Sequence, residues 1–217
     1  PEFSDPATMR DLTGNFKRTR EKKRMKYRLF AMVAVAAMVL ASTATTMANE
    51  FEPQIREAFK TQIQPWLGDA VLVDAIKAQN TKHASLTAAD IDKLDKDWRA
   101  QAKGGGGALI DQLLGNALSK FLKGKKDASA GLFSEIFAMD NKGLNVGQSD
   151  VTSDYMQGDE GKWKKTYGAG PGAVFIDEVE FDDSSQTFQS QLSTTIVDGA
   201  GKAIGAITFG LNVENLP

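Results

Sequence analysis

The sequence predicts an α+β fold, with N-terminal helices packed on an antiparallel sheet of about five strands. Apolar residues recur at three- and four-residue spacings from Glu50 to Phe121, the period of half-buried helices. From Leu132 onward they fall in short β-prone runs separated by hairpin-type turns. The two patterns are grouped and do not alternate, which points to an antiparallel sheet with segregated helices and not to a parallel βαβ sheet.

In the first helical segment Phe51, Ile55, Ala58, Phe59 and Ile63 share a face, and Pro65 ends or kinks it. A second, Asp69 to Gln79, places Val71, Leu72, Ala75 and Ile76 together. After the polar connection NTKHASL, Thr87-Ala88-Ala89-Asp90 has the form of a capping box, and the helix behind it carries Ile91, Leu94 and Trp98. Four glycines, Gly104 to Gly107, break the chain, because glycine is entropically costly in either regular state. A further helix carries Leu109, Ile110, Leu113, Leu114, Ala117, Leu118 and Phe121. A strand through Leu132, Phe133, Ile136, Phe137 and Met139 runs into the turn Asp140-Asn141-Lys142-Gly143, and Val146 begins a short return strand. AVFIDEVEF and FQSQLSTTIVD are the next two strands, Asp198 to Gly201 is a hairpin turn, and AIGAITFGLNV is the last strand. There is no internal repeat.

Residues 1–48 are set apart from this fold. PEFSDPAT looks like a cloning remnant, and residues 1–24 read as an upstream segment. Met25 to Ala48 has the form of a signal peptide: a positive n-region, the apolar core LFAMVAVAAMVLA, and small residues before Asn49. The core is too short to span a bilayer comfortably, so cleavage is expected and an uncleaved anchor is the alternative. Export is expected. Without residues 1–48 the chain keeps 17 Lys/Arg and 24 Asp/Glu, a net charge of about −7, which argues against nucleic acid as a partner. With no cysteine there is no disulfide, thiolate chemistry or Cys-ligated metal. Residues 49–217 are expected to form one domain, helical over 49–125 and sheet over 130–217, with no cofactor.

Several motifs carry less than they suggest. Gly168-Ala169-Gly170-Pro171-Gly172-Ala173 resembles a dinucleotide fingerprint but precedes a strand instead of following one. DNKGLNVGQSD has Lys142 and Leu144 where a calcium loop needs oxygen ligands, and reads as a turn. The one histidine, His83, is expected to be exposed and structural. The acidic run Asp177, Glu178, Glu180, Asp182, Asp183 reads as a solvated strand face in preference to a cation site. Adjacent carboxylates such as Asp177 and Glu178 should also point to opposite faces, which weakens a hydrolase reading.

The connection VTSDYMQGDEGKWKKTYGAG is polar yet holds Tyr155, Trp163 and Tyr167. Such rings serve equally as core and as the wall of a pocket for a polar or cationic ligand. Together with FAMDNKGLNVGQS, TFQSQLSTTIVD and GKAIGAITFGLNVENL, this segment resembles a Cache domain, the extracytoplasmic relative of PAS sensor domains. The resemblance covers roughly residues 130–216, and the order of segments carries it. It implies N-terminal helices packed on a PAS-like, curved antiparallel sheet, with the connection after the second strand folded over that sheet to cover a pocket. It also implies that Asp154, Tyr155, Trp163 and Tyr167 contact ligand, with Phe175 and Asp177 on the sheet floor. No arginine follows Arg99, so Lys162, Lys164 or Lys165 would have to meet a ligand carboxylate. The expected partner is a small polar metabolite, an amino acid, amine or organic acid, whose bound state is relayed to a membrane sensor protein. The rival is an interaction protein that docks through its helical half without a ligand.

Overall fold

The computed structural model describes residues 49–182 and 186–217, all within one unit, Met47–Pro217. The expected leader and upstream segment, and Asp183, lie outside the described residues. Helix α1 (Glu52–Ala58) passes through a π turn, Phe59–Ile63, into a 3₁₀ turn, Gln64–Trp66. Pro65 has no N–H to continue an α-helix and its ring crowds the preceding turn, so the chain changes helix type there. Helix α2 is Ala70–Lys82 and α3 is Ala88–Lys103. The expected capping box starts α3: Thr87 accepts from the Asp90 N–H, and Asp90 accepts from the Thr87 N–H. Two of the four glycines after α3, Gly105 and Gly106, sit at φ of 83° and 142°, where a side chain would be strained.

The helix expected through Leu109 to Phe121 is two helices, α4 (Ala108–Leu114) and α5 (Ala117–Asp127). Asn116 divides them, its Oδ1 accepting from the Ser119 N–H at 2.7 Å and its Nδ2 donating to the Val146 carbonyl at 2.9 Å. Ser119 adds a bond back to the Leu113 carbonyl. These side-chain bonds satisfy the backbone at the break and hold α5 against the sheet.

The strands are β1 (Phe133–Met139), β2 (Asn145–Gln148), β3 (Val174–Asp182), β4 (Thr187–Val197) and β5 (Ala203–Asn212). They form one antiparallel sheet in the order β2-β1-β5-β4-β3. The α+β class with five strands is therefore the architecture of the described residues. The last strand in sequence lies at the centre, paired to β1 through Ile136↔Phe209 and to β4 through Leu192↔Phe209.

Side chains alternate between faces along each strand. Ile136, Ala138, Leu192, Ile207, Phe209 and Leu211 turn to the helices and join Ile55, Leu72, Ile76, Leu118 and Leu122 in the main core. Trp66 meets Phe209 edge-on at 5.5 Å. A second cluster gathers Trp98, Ile110, Leu113, Leu144 and Tyr155 around α3 and α4. No helix of the described residues is long and apolar enough to cross a membrane.

Candidate functional site

The opposite face of the sheet is covered by residues 149–173, the connection between β2 and β3. Its first half is tied to α3. The Trp98 indole donates to the Thr152 carbonyl at 2.8 Å, and the Asp95 carboxylate accepts from the Tyr155 and Met156 N–H groups at 2.9 and 3.0 Å. Arg99 bridges Asp95 and Asp154 at 2.6 and 3.0 Å. The second half contains the short helix α6 (Gly161–Lys164), and the Trp163 indole donates to the Asp140 carbonyl at 3.1 Å. Between these attachments Gly143 and Gly158 touch backbone to backbone. Gly143 has a φ of +80°, and a Cβ there would meet the Gly158 main chain. Only glycine fits both demands.

Under the connection lies a cavity of about 330 Å³, lined from the sheet by Glu135, Phe137, Asp182 and Gln191 and from the cover by Thr152, Asp154, Gln157, Glu160 and Lys162. A neighbouring cavity of about 240 Å³ shares Glu160, Lys162, Asp182 and Gln191 and opens along Asp177 and Glu178. Glu135 is the charged group of the floor. Gln191 and Gln189 donate to its Oε1 at 2.9 and 3.2 Å. Burial pushes its carboxyl above the ordinary value of 4.5, opposed by the Gln191 bond, the Lys162 charge and the Gln189 bond. Lys162 forms an ion pair with Glu160 at 2.9 Å, donates to Gln157 at 3.3 Å, and lies 5.3 Å over the Phe137 ring.

The cluster depends on Gly210. In register, Glu135 and Gln191 are the two neighbours of Gly210 on β1 and β4. A Cβ on Gly210 would collide with Ser134 Oγ and Gln189 Oε1 and press on Glu135 Cγ. A register shift between Phe133 and Glu135 lets Ser134 and Glu135 both reach Gln189.

Of the residues expected at a ligand site, the structure brings two to these cavities. Asp154 lines the larger, its carboxylate held by Arg99, Gln157 and Ser153. Asp177 is exposed on the rim of the smaller. It does not lie on the floor, and neither does it oppose Glu178: an irregularity between Ile176 and Val179 sets both carboxylates along one rim, which corrects the expectation of opposite faces.

Tyr155 is turned away from these cavities. Its ring is 4% exposed and stacks on Trp98 at 5.5 Å, because Asp95 captures the main chain and directs the side chain to α3. Burial, with a smaller contribution from Asp140, raises the pKa of its hydroxyl. Trp163 and Tyr167 pack together at 5.0 Å over Phe137, Met139 and Ala206, fixing the cover without lining the cavity. Phe175 carries Lys165 Nζ 4.0 Å over its ring. Of the three lysines considered for a carboxylate, Lys162 reaches the cavity.

His83 is not exposed. It is 7% accessible and its Nδ1 meets Asp140 Oδ2 at 3.0 Å, since α2 extends through Lys82 and sets the ring over the β1–β2 turn. The residues that sequence reasoning missed are Glu135, Gln189, Gln191 and Asp95. The alternation of β1 carried a signal for Glu135, whose position places it on the face opposite Ile136.

No protein-family model and no curated protein sequence matches the chain. Among solved structures it is similar to the sensor domain of the V. cholerae histidine kinase DctB, at 12% identity, covering 76% of this chain and 56% of that one, with a TM-score of 0.39. It is also similar to the sensory domain of the Campylobacter jejuni chemoreceptor Tlp3 (13% identity, 76% and 64%, 0.38), and to the ligand-binding domain of the same receptor in complex with 4-methylisoleucine (14%, 75% and 61%, 0.37). The chain thus spans between 56% and 64% of the length of these structures. At these scores the likeness is one of general arrangement and bears on neither ligand nor partner.

Proposed function

We propose that residues 49–217 form a single Cache-like sensing domain, exported to the periplasm, that binds a small polar metabolite carrying an ammonium group, an amine or an amino acid, between the outer sheet face and the β2–β3 connection. The observation that carries this reading is the charge of the larger cavity. Glu135, Asp154, Glu160 and Asp182 line it with Lys162 as the one cation, so a ligand cation is favoured there and a lone organic acid is not. Lys162, which itself lies over the Phe137 ring, offers a point charge to a ligand carboxylate.

The relay runs through the cover. Asp95, Trp98 and Arg99 tie residues 152–156 to α3, so a ligand that draws the connection toward the sheet draws on that helix. A membrane partner reading the position of α3 would then register the bound state.

Thermal unfolding of the protein with panels of amines, amino acids and organic acids tests the reading. A ligand at 100 times its Kd adds about 2.7 kcal/mol. Stabilisation by an ammonium compound that is lost in Glu135→Gln is the expected result. Stabilisation by organic acids alone, or equal stabilisation of the variant, would refute it, and silence across all three panels would favour docking through the helical half.

A further inference from the structure

The helical half holds a further cavity, of about 350 Å³, bounded by α2, α3, α4 and the far side of the connection. It shares no lining residue with the two cavities under the cover. Its body is formed by Leu86, Leu94, Leu109 and Leu113, a surface that prefers a hydrocarbon to water.

Its polar groups come from Gln79, Lys82, His83, Gln112, Asn116 and Tyr155. Tyr155 is 4% exposed, and its hydroxyl, with no hydrogen-bond partner among the described residues, is not sealed from solvent. His83 lines the same cavity, its Nδ1 held against Asp140 Oδ2 at 3.0 Å. Asp140 also accepts from Gln79 Nε2 and from the Lys142 and Leu144 N–H groups. With those donors on its oxygens, Asp140 accepts from His83 Nδ1, and His83 Nε2 is the ring nitrogen left for another partner. No acidic side chain lines the cavity, and Lys82 stands at its exposed mouth.

We propose that this cavity is a second ligand site, for a small monocarboxylic acid with a short hydrocarbon tail. The tail lies among the four leucines. Lys82 attracts the anion to the mouth, Tyr155 donates to one carboxylate oxygen, and the other oxygen faces His83 Nε2, with one proton taken up from solvent lying between them. The site is independent of the ammonium-binding reading, which uses other side chains.

Isothermal titration of the full chain with hexanoate, hexylamine and hexanol tests it. Saturable hexanoate binding is expected, with hexylamine and hexanol weaker by about tenfold or more. Tyr155→Phe keeps the ring on Trp98 and removes the hydroxyl, and should weaken hexanoate about fivefold, the effect of one hydrogen bond. Leu86→Trp, which fills the cavity from a half-buried position, should abolish binding, and it serves as the test should Tyr155→Phe fail to fold. Glu135→Gln should leave hexanoate binding unchanged. Absence of hexanoate binding, equal binding of the amine, or binding unaffected by both Tyr155→Phe and Leu86→Trp would overturn the proposal. So would a loss with Glu135→Gln as large as that with Tyr155→Phe.

Discussion

On the side turned to the helices, β1, β4 and β5 present Ile136, Ala138, Leu192, Ile207, Phe209 and Leu211. On the side turned to the connection the same strands present Glu135, Phe137, Gln191, Ser193, Thr208 and Gly210. The first face is apolar and closed by helices whose own apolar stripes meet it. The second is buried at Phe137, Ser193, Thr208 and Gly210 and half-buried at Glu135 and Gln191, and its hydroxyls, amides and carboxyl bond one another: Ser193 with Thr208 at 2.9 Å, and Gln189 and Gln191 with Glu135. One residue of displacement along a strand separates the two chemistries. The inner face provides stability without direction, and the outer provides directed groups that have to be satisfied internally.

The largest break in this comparison comes from the inner face. Phe209→Ala empties the contact with Trp66 and Phe133 and should cost about 3–5 kcal/mol in urea unfolding, with little change in ligand preference beyond that loss. Next, Gly210→Ala puts a methyl group into the outer cluster and should cost about 1–3 kcal/mol, with ligand binding lost even where the protein remains folded. Asp95→Ala leaves the Tyr155 and Met156 N–H groups without their acceptor and should cost about 1–3 kcal/mol. Hydrogen exchange should then quicken across residues 152–158 while the strands stay protected.

The smallest effect is one of pH. Because the fold raises the Glu135 pKa, its contribution to stability is fully present below 4.5 and is lost as pH rises through the folded value. Glu135→Gln should therefore flatten the stability profile above pH 4.5 and raise the melting temperature at pH 7, by less than any of the losses above. A melting temperature lowered at pH 7 would mean that the carboxylate is stabilised by the cluster and not strained by burial.

Most of the elements are legible in the sequence because each is dictated by neighbours a few residues away. The Thr87–Asp90 box, the tetraglycine and the Asp198–Gly201 turn act locally, and the structure has them where local chemistry puts them. The division between α4 and α5 is less legible, since Asn116 and Ser119 break the helix through bonds that also reach Val146 and Gln148 in β2. The candidate site is least legible. Glu135 meets Gln189 and Gln191 across more than 50 residues of chain, and the alternation in FSEIF gives its face of the sheet but not what covers that face. Tyr155 illustrates the same limit. Its place in a polar, ring-rich connection suggests a pocket wall, but the choice of pocket is made by Asp95 on a distant helix.

The central position of β5 has a consequence for the order in which the molecule is assembled. Of the five strands it is the last to be synthesised, and the β1–β2 and β3–β4 pairs are joined into one sheet only through it. Phe137 must find Thr208 across a long loop before the two halves join, a step that topology makes slow. Glu135 belongs to one hairpin and Gln191 to the other. The carboxyl and the amides that hold it therefore sit on either side of the strand made last, and the floor of the cavity requires that strand in place.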